Sequence, residues 1–368
     1  MIRRLFITTA LASAMLAGSA QAADKTLKMI PLDMDGGGGT LFVTPEGRSL
    51  LIDTGTETWI GAHGAPMADG LDGAKTGVDR ILSAAKALGV KKIDYLIMTH
   101  YHGDHIGGVY GLLQRFPVDT IIDHGPNRET TPADGDPTSP SAGKTPKTVA
   151  LYARYLEAIK GHRHIVAKPG EVFHFGSLTD TIVSSDGKTI TRPLPGAGKL
   201  GAFCDTLPMA ANGGIENAMS VGSILSFGKV RISALGDLTW NKEHDLACPV
   251  DKIGHVNILL VTHHGLDFSS NPAIIAAMRP DIAIMGNGPS HGAAPGAVKT
   301  IKASSGLQAF WRLHESLAYP DPDADPNYTA NLGPSPSHGY TIRLDIARNG
   351  RVTVTNTRNG FSRIYKVD

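Results

Sequence analysis

Cysteine is scarce: Cys204 and Cys248 are the only two in 368 residues. Two cysteines exclude a disulfide-built scaffold and a cysteine-rich zinc site. One disulfide or a pair of buried thiols remain as alternatives. An excess of charge of either sign is also lacking. Lys and Arg total 35 and Asp and Glu 34, a formal net charge of +1 with His neutral. With no long basic run, the chain is not built to grip a nucleic-acid backbone by charge, and long nucleic acid is a poor partner. Beyond residue 22 no apolar run reaches the ~20 residues that cross a bilayer, so no membrane span is expected in the mature chain.

The one apolar run is at the start. Arg3 and Arg4 precede a small-residue apolar stretch at 5–18, and Ala20-Gln21-Ala22 has the small-x-small pattern of a cleavage site. Residues 1–22 read as a secretory signal peptide, and the mature protein as periplasmic or secreted. Hydrophobic residues make up 41% and charged residues 19%, ordinary globular values that exclude a disordered chain or a coiled coil. No interior stretch resembles an interdomain linker, so residues 23–368 are expected to form a single domain with a full core. The 43 Gly and 23 Pro predict many turns and long loops.

Strand-like runs at 27–32, 40–44 and 49–53 open the mature chain, broken by glycines 36–39 and by the turn Pro45-Glu46-Gly47-Arg48. Ile81, Leu82, Ala85 and Leu88 share one face of a helix predicted over 78–88. Strands are expected at 95–98 and 120–122 with a helix over 107–116 between them. A Pro-, Thr-, Ser- and Gly-rich loop at 129–147 precedes a helix over 148–160. Strands at 165–175 and 178–183 lead to a loop at 186–217 that holds Cys204. The runs 220–227 and 229–235 form a hairpin about Gly228. Then come a strand at 256–262, a helix at 272–278, a strand at 282–285, a helix at 295–303 and a proline-rich loop at 320–336. A hairpin of 341–346 and 352–356 around Asn349-Gly350 closes the chain. Strands come in bursts with helices between them, in two halves.

The 15 histidines are not evenly spread. Thr99-His100-Tyr101-His102-Gly103-Asp104-His105 follows a predicted strand and precedes a predicted helix. His100 and His102 are two apart on extended backbone, so both face one side and can share an ion. Asp104 and His105 follow a glycine and can turn toward a second position. Imidazole with carboxylate suits zinc or a similar divalent ion. Gly107 and Gly108 let the backbone pass close behind.

His100-x-His102-x-Asp104-His105 is similar to the signature of the metallo-β-lactamase superfamily. Leu50-Leu51-Ile52-Asp53-Thr54-Gly55 resembles that family's opening strand end. Ala234-Leu235-Gly236-Asp237 resembles the strand end that supplies a bridging carboxylate. Val261-Thr262-His263-His264-Gly265 resembles the His-His-Gly motif of the branch that includes the hydrolase-like domain of DNA-uptake competence proteins and the phosphorylcholine esterases. The resemblance runs from about residue 27 to about 303. It implies an α/β fold, an αββα sandwich with the site at one edge of the two sheets. It implies His100 and His102 on a first metal, Asp104 and His105 on a second, Asp237 bridging and His264 completing the second. His263 is then a catalytic contact to substrate or leaving group, with the choice between His263 and His264 as ligand left open. A third histidine for the first metal has no motif; His162, His164 and His174 are the candidates. Glu216-Asn217-Ala218-Met219-Ser220 resembles the corresponding segment of the competence-type branch, which also lacks that histidine.

The implied activity is that of an exported metal-dependent hydrolase. Two divalent ions, zinc with manganese as an alternative, would share a hydroxide nucleophile oriented by Asp104 and Asp237. A small phosphoester or phosphodiester is the expected substrate. Hydrolysis of a lactam, lactone or other acyl compound, and a metal-bound binding module without turnover, are the alternatives. Glycines 36–39 read as a hairpin at the site rim rather than a phosphate cradle. Ser290-His291-Gly292 follows a strand end, as a rim histidine or a solvated loop. His314 and Asp123-His124-Gly125 end strands near the same edge. His63, His244, His255 and His338 read as surface or structural. The loops at 129–147 and 320–336 are expected to roof the site.

Overall fold

Apolar side chains sit at consecutive positions along the central strands, and each face of those strands has its own core. The computed structural model describes residues 26–56, 77–135, 143–205, 214–334 and 339–368. In the strand Ser49–Ile52, Leu50 and Ile52 join one buried cluster and Leu51 joins another. Ile97 and Ile122 lie with Leu50, while Leu96 and Ile121 lie with Leu51. The period of two is that of the pleat, and burial on both faces removes the usual polar alternate.

Two sheets result. The first has the spatial order Ser362–Lys366, Arg351–Asn356, Ile342–Ile346, Leu27–Pro31, Thr40–Val43, Ser49–Ile52, Ile93–Ile97, Val118–Asp123 and Arg163–Val166. The second runs Thr329–Asn331, Ala309–His314, Ile282–Met285, Ile258–Leu260, Val230–Ala234, Gly222–Phe227, Leu178–Ser185 and Val172–Phe175, with Lys188–Thr189 paired beside Leu178–Ser185. Phe42, Ile97 and Ile122 of one meet Leu225, Ile232, Ile258, Ile284 and Trp311 of the other. The outer face of the first sheet is covered by the helices Gly77–Ala87, Val109–Arg115 and Lys147–Ala158 through Val78, Ile81, Leu112 and Tyr155. The outer face of the second is covered by Trp240–Ala247, Pro272–Met278 and Pro295–Lys302 through Leu246, Ile274, Met278 and Ile301. This is the expected αββα sandwich. Among the described residues no helix is long and apolar enough to cross a membrane.

Strand direction positions the site. Ser49–Ile52, Ile93–Ile97, Val118–Asp123 and Arg163–Val166 are parallel, and so are Val230–Ala234, Ile258–Leu260, Ile282–Met285 and Ala309–His314. Loops leaving the carboxyl ends of such strands are where α/β sheets bind ligands. Asp53, Thr99, Asp237, His263 and Gly286 all follow such ends.

The structure departs from the expected elements in several places, one of them at the end, where a further strand, Ser362–Lys366, pairs beyond the expected closing hairpin. The run 165–175 is not one strand: Arg163–Val166 belongs to the first sheet and Val172–Phe175 to the second, the chain crossing between them at 167–171. The helix Trp240–Ala247 was not expected, because its sequence is polar and only Glu243, Leu246 and Ala247 are buried. The short strand Thr329–Asn331 lies inside the proline-rich run and is held by its pairing with Arg312 and His314. Cys204 and Cys248 form a disulfide with their Cα atoms 5.5 Å apart. The signal segment 1–22, His63 and His338 lie outside the described residues.

One carboxyl group is enclosed between the sheets. Asp180 shares the inner face of its strand with Leu178 and Ile182 and is fully buried. Its Oδ2 accepts one hydrogen bond from Ser223 Oγ at 3.0 Å. Its Oδ1 has no partner among the described residues. Burial pushes this carboxyl up to about 7, against the smaller opposing effect of Ser223. Between the ordinary value and about 7 the unfolded chain releases this proton while the folded chain keeps it. Stability is therefore lost as pH rises through that window. Thermal denaturation is expected to show the melting temperature of the wild type falling from pH 5 to pH 8, and Asp180→Asn is expected to flatten that slope. An unchanged slope in the variant refutes the assignment.

Candidate metal centre

The histidine motif changes backbone conformation midway, and this divides its side chains. His102 is still extended, with φ −67° and ψ 150°, and the one-turn helix Gly103–Ile106 starts directly after it. His100 and His102 thus point together: His100 Nε2 and His102 Nδ1 are 3.1 Å apart. The helical turn swings Asp104 and His105 to a different side. The other sheet delivers Asp237 just after Val230–Ala234, across Gly236. Gly236 has φ +59°, and a Cβ there would lie 2.8 Å from Thr99 Cβ, so only glycine lets the two strand ends approach. His263 and His264 follow Ile258–Leu260, with the His263 amide donating to Gly236 O at 3.1 Å.

Asp237 stands between two sets of donors. Its Oδ1 lies 3.3 Å from His105 Nε2 and 3.4 Å from His264 Nε2. Asp104 Oδ2 lies 3.6 Å from His264 Nε2 and 3.8 Å from His105 Nε2. Asp104, His105, Asp237 and His264 each offer a donor atom within 4.8 Å of the others. On the other side, Asp237 Oδ2 lies 3.8 Å from His100 Nε2 and 3.5 Å from His263 Nε2. The four residues expected to hold a second metal are thus brought together. His100, with His102 Nδ1 beside its Nε2, adjoins the remaining carboxylate oxygen.

Hydrogen bonds assign which nitrogen of each imidazole is free. Asp53 accepts from the Thr99 hydroxyl at 2.7 Å and from His105 Nδ1 at 2.7 Å. Since Thr99 Oγ1 spends its hydrogen on Asp53, it accepts from His100 Nδ1 at 3.1 Å. His264 Nδ1 donates to Gly286 O at 3.1 Å. Ser269 Oγ donates to Leu238 O at 2.8 Å and so accepts from His263 Nδ1 at 3.2 Å. His102 Nε2 donates to Glu129 Oε1 at 3.3 Å. In each of these five imidazoles the nitrogen turned to the centre is left with its lone pair. His105 Nε2 and His264 Nε2 then face each other at 3.1 Å. Two lone pairs at that distance repel unless a cation or a proton lies between them. The donor set of imidazole nitrogens and carboxylate oxygens therefore fits a divalent ion.

Electrostatics say the same. Burial alone raises a carboxyl, yet His105, His264 and His263 hold Asp237 well below its ordinary value. Burial depresses an imidazole, yet Asp237, Asp53 and Asp104 hold His105 well above its ordinary value. His264 is raised in the same way, mainly by Asp237 opposing burial. Burial and the neighbouring His105 push His100 well down, and burial pushes His263 down to about 4. The carboxylates thus favour positive charge at His105 and His264, where a cation would lie, so a metal ion competes there with protons.

The scaffold around these groups is tight. Gly38 donates to Asp104 O at 3.0 Å. A Cβ at Gly38 would lie 2.5 Å from His105 Nδ1. Glycines 36–39 are therefore packed against the centre, and the Gly37 and Gly38 amides are already used, on Met34 O and Asp104 O. His263 and His264 both have left-handed backbone, with φ 54° and 55°. Each costs about 1–2 kcal/mol in an L-residue. A cavity of about 70 Å³ lies beneath, lined among others by Asp53, His105, Asp237, His263 and His264.

The remaining expectations separate. His263 is only 6% exposed and its ring is enclosed by Ser269, Asn217 and Asp237, below the mouth of the site. His162, His164 and His174 stay away from the centre: they bond to Val118 O, to Asp123 and to the Thr179 hydroxyl. Asn217 Nδ2 comes within 3.4 Å of His263 Nε2. His124 is buried against Glu216 at 2.6 Å beneath Tyr101. His314 pairs with Asp33 at 2.7 Å. His291 is exposed and its ring stacks obliquely beside His264, centroids 5.3 Å apart.

Asp53, Glu129 and Ser269 had no expected role and are the residues that orient imidazoles. Asp53, in the Asp-Thr-Gly run after a strand, was the one with a visible signal. Partners of this kind typically contribute about 10–100-fold to metal affinity. Asp53→Ala is expected to weaken divalent-metal binding by about that factor, measured by competition with a chromophoric chelator. Unchanged affinity would exclude the orienting role.

Residues 35–194 match the family model described as the metallo-beta-lactamase superfamily. Recombination protein 2 of Haemophilus influenzae is 22% identical over 268 residues, which are 73% of this chain and 25% of that protein. The chain thus spans about a quarter of that relative's length. The metallo-beta-lactamase fold protein YhfI of Bacillus subtilis is similar with TM-score 0.41 and 13% identity, over 77% of this chain and 95% of that one. A diphosphatase of the PhnP family is similar with TM-score 0.40 and 13% identity, over 88% and 98% of the two chains.

Proposed function

We propose that this chain, a member of the metallo-β-lactamase superfamily of metal-dependent hydrolases, uses two divalent ions to cleave a small phosphoester or phosphodiester. The observation that carries this reading is Asp237, whose two oxygens each face a separate set of donors. His105, His264, Asp104 and Asp237 Oδ1 would hold one ion. His100, His102 and Asp237 Oδ2 would hold the other, with His263 as the nearest further imidazole. Bound there, divalent ions supply Lewis acidity to phosphoryl oxygens and lower the pKa of the attacking water.

This chain's own groups do the rest. Asp53, Ser269, Glu129, Gly286 O and Thr99 hold the imidazoles in one tautomer, so no reorganisation is needed when substrate arrives. Asp104, whose side chain is one-third exposed, is the carboxylate nearest the opening and orients the water. The buried position of His263 supports a place beside Asp237 rather than at the leaving group. The near-zero net charge supports a small substrate over a long nucleic acid. The disulfide and the signal-like first 22 residues support export to the periplasm or beyond, since disulfides persist in oxidising compartments.

The test is hydrolysis of bis(p-nitrophenyl) phosphate by protein loaded with zinc or manganese, beside Asp237→Ala. Turnover by the wild type is expected, with bound metal measured by plasma emission and both metal content and turnover falling in the variant. Turnover that survives Asp237→Ala, or cleavage of lactones or β-lactams instead of phosphoesters, overturns the reading.

A further inference from the structure

The histidines in and around the centre differ in one respect. His100, His102, His105, His263 and His264 each have a nitrogen committed to an oxygen: Thr99, Glu129, Asp53, Ser269 and Gly286 respectively. His291 has none: neither of its ring nitrogens has a hydrogen-bond partner among the described residues. Those five are buried or half-buried, while His291 is exposed.

Its backbone, by contrast, is held firmly. Gly288 donates to His291 O at 2.8 Å, closing the turn. Ala293 donates to His264 O at 3.0 Å and Ala294 to Gly265 O at 2.7 Å, so the loop is fastened to the His-His-Gly turn. On the other side Gly36 packs so closely that a Cβ there would lie 2.9 Å from His291 Cβ. Leu317 donates to Pro289 O at 2.7 Å, tying the loop to the segment after Ala309–His314. The exposed ring stands 5.3 Å from the His264 ring. A rigidly mounted, unpartnered hydrogen-bond group at the edge of a charged centre is what substrate positioning requires.

We propose that His291 is a substrate-contacting residue: a ring N–H donates to a phosphoryl or leaving-group oxygen of the bound phosphoester. This rests on the phosphoester reading above. It moves to His291 the contact that the motif resemblance assigns to His263. The contact needs no change of protonation, because a neutral imidazole always carries one N–H.

The experiment has two readouts on metal-loaded wild type, His291→Ala and His291→Gln. One is the Kd of inorganic phosphate by calorimetry; the other is kcat/KM for bis(p-nitrophenyl) phosphate. Bound metal and melting temperature should match in all three. His291→Ala is expected to weaken phosphate binding and lower kcat/KM by about 10-fold or more, the loss typical of a hydrogen bond to a charged group. His291→Gln, which keeps an N–H donor, is expected to recover part of both. Equal phosphate affinity in wild type and His291→Ala, or no phosphate binding by either, overturns the contact. Phosphate binding that depends on His291 without phosphodiester turnover leaves the contact standing and overturns only the phosphoester activity. Loss of metal in His291→Ala, restored by neither variant nor added metal, makes the residue structural and likewise overturns it.

Discussion

Asp237 is the constraint on which the rest depends. One carboxylate, buried and ionised at the meeting of two sheet edges, has to be balanced by nearby positive charge. In an interior of low dielectric an unbalanced carboxylate is costly. Oδ1 is faced by His105 and His264, and Oδ2 by His100 and His263. Both sheets must deliver their strand ends to that point. Gly236 packs against Thr99 there.

The cost of assembling the centre appears in its surroundings. Two consecutive histidines adopt left-handed backbone, a conformation that the surrounding hydrogen bonds must hold in place. Gly236 O, Leu238 O through Ser269, and the amides of Ala293 and Ala294 all clasp that turn. Glu243, buried on the helix Trp240–Ala247, accepts from the Asn271 amide at 2.8 Å and braces the segment that follows. Burial pushes its carboxyl up to about 8. Several strained and buried polar groups gather on this edge.

Orientation is the second theme. Five imidazoles converge, and each is turned by an oxygen on its far nitrogen. That network turns one nitrogen of each ring inward before any ligand arrives, which is preorganisation in the electrostatic sense. Asp53 does this for two histidines at once, directly for His105 and through Thr99 for His100.

The sequence alone determined what is local. Alternation of apolar residues set the strand faces and the two-sided burial of the sheets. The spacing of His100, His102, Asp104 and His105 set which pair points which way, because it spans the switch from extended to helical backbone. Tertiary structure decided the rest. Asp53 meets His105 52 residues later and Glu129 meets His102 because neighbouring parallel strands of the first sheet end at the same edge, and Ser269 meets His263 through the turn that follows Ile258–Leu260. Such pairings leave no period in the chain. The same holds for the surroundings of His263 and His291. Adjacency in sequence puts His263 beside His264, the left-handed turn buries its ring, and a loop from the next parallel strand sets His291, an expected rim position, beside the His264 ring.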